Sequence, residues 1–183
     1  MSGGVLDADE SSTVSGALTQ SGNITIDVAD NKILTYSGAS LNLGANTLTL
    51  SGGGTLSNTN ALVLNHANSL LSLAGILTIG DVNATVVANS GKGVQVTSSA
   101  TLGIFYLAYT AVSYLDIAAN QTLAGQLNLQ SNGELNISGL GRYTGDIALA
   151  GGKFSATDNQ VLGGTLSITA DSELTVSQGY TLT

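Results

Sequence analysis

The chain writes one phrase several times over. It reads "GQLNLQSNGELNI" from Gly125, "GDIALAGGKFSAT" from Gly145 and "GTLSITADSELTV" from Gly164. The stretches "NQTLAGQLNLQSNGELNIS" from Asn120 and "NQVLGGTLSITADSELTVS" from Asn159 align without a gap, and "NKILTYSGASLNLGANTLTLS" from Asn31 joins them with two extra residues. A unit of about twenty residues is too small to bury its own apolar face, so successive units must stack on one another.

Within each phrase Leu127, Leu129, Leu135 and Ile137 alternate with Gln126, Asn128, Gln130, Glu134, Asn136 and Ser138. Alternation of period two describes a strand with one dry and one wet face. Gly, Ser, Asn and Asp separate the strands. The expectation is an all-β, single-chain β-solenoid of 20–22 residues per coil and eight or nine coils. Residues 23–183 are expected to form it, as a fragment of a longer repeat protein, with residues 1–22 an acidic N-terminal segment that caps the first layer. A β-sandwich also has short alternating strands, but nothing in it holds a fixed phrase length.

Twelve acidic against four basic side chains give a net charge of -8, and the cations Lys32, Lys92, Arg142 and Lys153 are scattered. Such a surface repels a phosphate backbone, so no nucleic acid is expected as a partner. No apolar run approaches the roughly 18 residues of a spanning helix, so membrane insertion is not expected. The absence of cysteine excludes disulfides and thiolate metal sites.

Few residues carry chemistry. Glycoside cleavage needs two carboxylates on one face, and the one-coil separations of Glu134 from Asp158 and of Asp146 from Asp171 offer candidate pairs. Repetition alone generates such separations, so no catalytic residue is assigned and the chain is read as a non-enzyme. His66, the only imidazole, stands in the turn-like "LNHANS" with no serine or carboxylate tied to it. No metal ligand set is assigned and no cofactor is expected. Calcium is the one ion the residues would admit, through Asp7, Asp9 and Glu10 or through Asp27, Asp30 and Asn31.

Three features point to binding or assembly. From Leu102 to Ile117 the chain reads "LGIFYLAYTAVSYLDI", where strict alternation fails and Phe105, Tyr106, Tyr109 and Tyr114 gather. The choice there is between a satellite core on the flank of the rod and a recognition patch for a glycan or a protein. Asn23, Asn46, Asn68 and Asn89 recur at about one coil, which suggests a stacked ladder of amides. The last phrase has no polar cap. An open backbone edge is expected there, with Leu174, Val176 and Leu182 docking further coils of the parent chain or another copy end to end. An ice-binding face is a further alternative: Thr47 and Thr49 form one T-x-T pair, although neighbouring phrases offer Asn128, Ser167 and Asp146.

The run "GRYTGDIALAGGKF", Gly141 to Phe154, resembles the G-x-Y-T-G-x-I-x-L-x-G-G-x-F phrases of autotransporter passenger domains and filamentous-haemagglutinin-like adhesins, and "SGGGTLSN", Ser51 to Asn58, is similar to them. The resemblance implies a right-handed parallel β-helix on the outside of a Gram-negative bacterium. It implies a role in adhesion, aggregation or display, with a host or cell-surface glycan or protein as partner and an extracellular or cell-surface location.

Overall fold

The computed structural model describes residues 1–58, 60–75, 78–79, 85–88, 93–107, 112–130 and 133–183. Among these no helix occurs. Twenty-two short strands form a nine-stranded and a thirteen-stranded sheet, with parallel pairing between the strands. The architecture is the expected β-solenoid.

The nine-stranded sheet is one face of the stack, and takes one strand from each layer: Gly4–Ala8, Ile24–Val28, Thr47–Ser51, Leu70–Leu73, Gly93–Val96, Val112–Ile117, Glu134–Ser138, Lys153–Ala156 and Glu173–Val176. Its register advances by 19 residues at the shortest step, Glu134 to Lys153, and by 24 at the longest, Ile24 to Leu48. The coil therefore varies a little more than the expected 20–22 residues, because turns between strands absorb insertions without disturbing the ladders.

The thirteen-stranded sheet bends into a second and a third face. Two long strands, Ala100–Leu107 and Thr122–Gln130, run through the corner between them. Ala100 pairs with Leu123 before the bend and Ile104 with Gln126 after it, with a register shift between Thr101 and Ile104. In other coils the corner splits this path into two strands, as in Arg142–Tyr143 and Asp146–Ala150. Seven coils carry strands on all three faces, and a partial coil stands at each end. This is close to the expected eight or nine coils.

The boundary expected at residue 23 moves. Gly4–Ala8 already pairs in register with Ile24–Val28, and Ser12–Val14 with Leu34–Tyr36, so the acidic N-terminal segment is itself the first layer.

Apolar residues stack in files along the interior. One such file on the first face runs Ile24, Leu48, Leu71, Val94, Leu115, Ile137 and Ala156, each directly above the last and all buried. Each buried Leu or Ile contributes roughly 1.5–3 kcal/mol relative to exposure. Because the outward side chains of strands such as Ile24–Val28 and Glu134–Ser138 stay partly exposed, alternation stays legible even though the ladders are parallel, a pairing that usually lies between two buried faces.

The repeated asparagines of the aligned phrases also have a physical role. Asn31 and Asn120 occupy the same corner, ahead of Ile33 and Thr122, with φ of 61° and 63°. Asparagine tolerates this left-handed conformation better than other residues with a side chain.

Candidate functional site

The turn between the second and third faces explains why the phrases begin where they do. Gly125, Gly145 and Gly164 lie on top of one another at this corner. A Cβ on Gly145 would collide with the Gly125 carbonyl and stand 2.5 Å from the Tyr143 hydroxyl, and one on Gly164 would collide with the Gly145 carbonyl. Tyr143 is buried, and its hydroxyl donates to the carbonyl oxygens of Gly125 at 2.7 Å and of Asp146 at 3.2 Å.

A second copy of this device stands near the other end. The Tyr36 hydroxyl donates to the Ala39 carbonyl at 2.6 Å, and Gly38 has the Tyr36 ring and the Gly16 carbonyl in the place of a Cβ. Both copies read Tyr, then Ser or Thr, then Gly: Tyr36-Ser37-Gly38 and Tyr143-Thr144-Gly145. The tyrosine fills the interior at the bend, its hydroxyl satisfies a carbonyl that the turn leaves unpaired, and the glycine lets the next layer approach.

Burial, reinforced by the charge of Asp146, pushes the Tyr143 phenol well above its ordinary value near 10. A group with a raised folded pKa contributes stability that is complete below the unfolded pKa and falls as pH climbs past it. The urea midpoint is therefore expected to drop above about pH 10. Tyr143→Phe is expected to flatten that drop while lowering stability at neutral pH by about 1 kcal/mol. Urea titrations across this pH range check both effects.

Elsewhere the turns are stitched by side chains that bond to backbone one layer away. Asn23 Oδ1 accepts from the Thr47 amide, Asp146 Oδ1 from Thr165, Asp158 Oδ2 from Gly139 and Asn159 Oδ1 from Thr181, at 2.8 to 3.0 Å. The expected amide ladder has a different form. Asn23 lies level with Thr47, whereas Asn46 lies level with Ser69, so Asn23, Asn46 and Asn68 do not share one file. Asn46 instead donates to the Leu43 carbonyl in its own turn, and the Asn68 amide donates to His66 Nδ1, which fixes the histidine as a turn residue. Asn89 lies outside the described residues.

The aromatic cluster is divided by the fold. Phe105 is 1% exposed and level with Leu127 of the next layer, so it belongs to the main core and not to a satellite core, and is unavailable to a ligand. Tyr106 points outward on the third face and is half-buried, while Tyr114 points outward on the first face and is 49% exposed. Tyr109 lies outside the described residues.

The candidate carboxylate pairs do not converge. Glu134 stands level with Lys153, whereas Asp158 is level with Gly139, five residues further along the chain than Glu134. Asp146 is level with Gln126 and Thr165, and Asp171 follows the end of Leu166–Thr169. Among the described residues no three His, Asp or Glu side chains are grouped to hold a metal ion. Glu10 instead pairs with Lys32 at 2.5 Å, and Asp27 Oδ1 accepts from the Ser51 hydroxyl.

The threonine file also needs re-siting. Asn128, Ser167 and Asp146 belong to the third face, whereas Thr49 on the first face stacks between Thr25 and Ser72. The same file continues into Gln95 and Asp116, which interrupt its hydroxyls.

At the C-terminal end the structure exposes positions that are core one layer below. Leu174 lies over Phe154 and Val176 over Ala156, yet they are 42% and 37% exposed. Leu182 stands over Gln160 and is partly buried.

No protein-family model matches the chain, and no curated protein or solved structure shows significant similarity to it.

Proposed function

We propose that this chain is a structural and adhesive repeat segment of a large extracellular bacterial surface protein, whose task is to build a rod and present its faces, without catalysis. The observation that supports this most directly is the terminal layer. Leu166, Ile168, Leu174 and Val176 continue interior files of the solenoid and are exposed, and among the described residues no strand pairs with the outer edges of Leu166–Thr169 and Glu173–Val176. A further β layer, from the same polypeptide or another copy, would add backbone hydrogen bonds and bury these side chains. The extracellular bacterial location rests on the resemblance to adhesin repeats.

Copies stacked end to end use two different surfaces, so association gives linear assemblies and not closed dimers. Light scattering across a concentration series, with negative-stain microscopy, is expected to show rods lengthening as concentration rises. Val176→Lys is expected to hold them at unit length. Rods that stay at unit length at every concentration, with the variant indistinguishable, would count against assembly through this layer.

A further inference from the structure

We propose that the first face, around Tyr114, binds a neutral polysaccharide laid along the stack; this rests on the adhesive reading above and names its ligand class. Tyr114 is 49% exposed in the middle of a sheet face. The next layer places Asn136 in the same file, and neighbouring files bring Gln95, Asp116, Ser138 and Glu134 beside it. Asn136 Nδ2 donates to Glu134 Oε1 at 3.2 Å and the Ser138 hydroxyl to Asp116 Oδ1 at 3.4 Å, so both carboxylates are oriented before any ligand arrives.

The arrangement recurs round the corner. On the third face Tyr106 has Asn128 in the next layer of its own file. Twice, then, an outward ring stands one layer from an outward amide. A tyrosine ring is an apolar plate with a polar rim, suited to the CH face of a pyranose, and amides and carboxylates accept from its hydroxyls. The layer spacing of about 4.8 Å puts successive polar groups within reach of neighbouring sugar units along one chain.

The surroundings select the occupant. A protein partner would need a fully buried apolar centre with few charges, whereas this ring has one exposed apolar neighbour on its strand, Val112, and is otherwise bordered by polar groups. Asp116 and Glu134, within a chain of net charge -8, disfavour anionic glycans. A cationic peptide is the rival that the same charge would attract.

Affinity electrophoresis in native gels containing dextran, galactomannan or hydroxyethyl cellulose tests the proposal, with polygalacturonate as the anionic comparison. The expected result is retardation in at least one neutral gel, none in polygalacturonate, and little change in high salt. Tyr114→Ala is expected to weaken that retention about ten-fold, while Tyr114→Phe keeps most of it and Thr49→Ala, on the same face, keeps all of it. The circular-dichroism spectrum should stay unchanged in each, since these side chains point outward. Free migration of the wild type in all three neutral gels, or equal retention of Tyr114→Ala, would overturn the proposal. So would salt-sensitive, Tyr114-dependent capture of oligolysine with no neutral polymer retained. Failure here with concentration-dependent rods intact would remove the glycan inference and leave the rod-building reading standing.

Discussion

Gly145→Val is expected to unfold the stack around its corner. The added Cβ would fall on the Gly125 carbonyl of the layer before, and the Tyr143 hydroxyl is 2.5 Å from the same point. Neither obstacle is the free end of a flexible chain: one is backbone, and the other is a buried phenol held by two carbonyls. Relief requires the layers to part, which breaks the ladder between Gln126–Gln130 and Asp146–Ala150. The cost should reach about 3 kcal/mol or more. Gly16→Ala is the matched comparison, because a Cβ there meets nothing within 4 Å and should leave stability nearly unchanged. Urea unfolding of the two variants, followed by circular dichroism, measures the difference.

Phe154→Ala is expected to be nearly as damaging, for the opposite reason. Phe154 is fully buried between Leu135 below and Leu174 above, in a stack where each layer touches only its neighbours. Truncation leaves a cavity that the flat strands cannot close, at roughly 3–5 kcal/mol. In a one-dimensional stack the loss is felt at the nearest interfaces first. Amide hydrogen exchange should therefore show the layers from Lys153 onward losing protection at lower denaturant than the file from Ile24 to Val94. Uniform loss along the chain would contradict that local reading.

The sequence carries the architecture well because stacking imposes the same demand at each level. Alternation around Leu127 and Leu129 marks the interior face, and the phrases opening at Gly125, Gly145 and Gly164 mark a corner too tight for a Cβ. The open terminal layer is also legible, since Leu174 and Val176 continue the pattern of Phe154 and Ala156 with nothing polar in their place. What the sequence hides is level. A separation of about one coil does not say that two residues share a file, as Glu134 with Asp158 and Asn23 with Asn46 show. Steps from 19 to 24 residues are enough to move a side chain from one file to another.

The aromatic stretch misled for a related reason. Ala100–Leu107 passes through a corner with a register shift, so counting by twos from one end inverts on the other side of the bend. Phe105 consequently faces the core while Tyr106 faces out, and Tyr114, beyond the next corner, belongs to another face. Tyr143-Thr144-Gly145 stands inside the adhesin-like phrase and Tyr36-Ser37-Gly38 inside the phrase from Asn31, but the meaning of the corner needs the carbonyl of the preceding layer, which no local pattern supplies.

Pulsed electron paramagnetic resonance between spin labels in a single file measures whether these residues form a parallel stack with one layer per phrase. The chain has no cysteine, so labels enter only where they are placed. Val5, Thr25, Thr49, Ser72, Gln95, Asp116 and Ser138 are successive members of one outward file on the first face. Labels at Val5 and Gln95 should lie about 19 Å apart, and labels at Val5 and Ser138 about 29 Å, since each layer adds about 4.8 Å. Distances that grow by one such step per layer are the predicted result. Two similar distances, or a shorter one for the pair further apart in sequence, would contradict the solenoid.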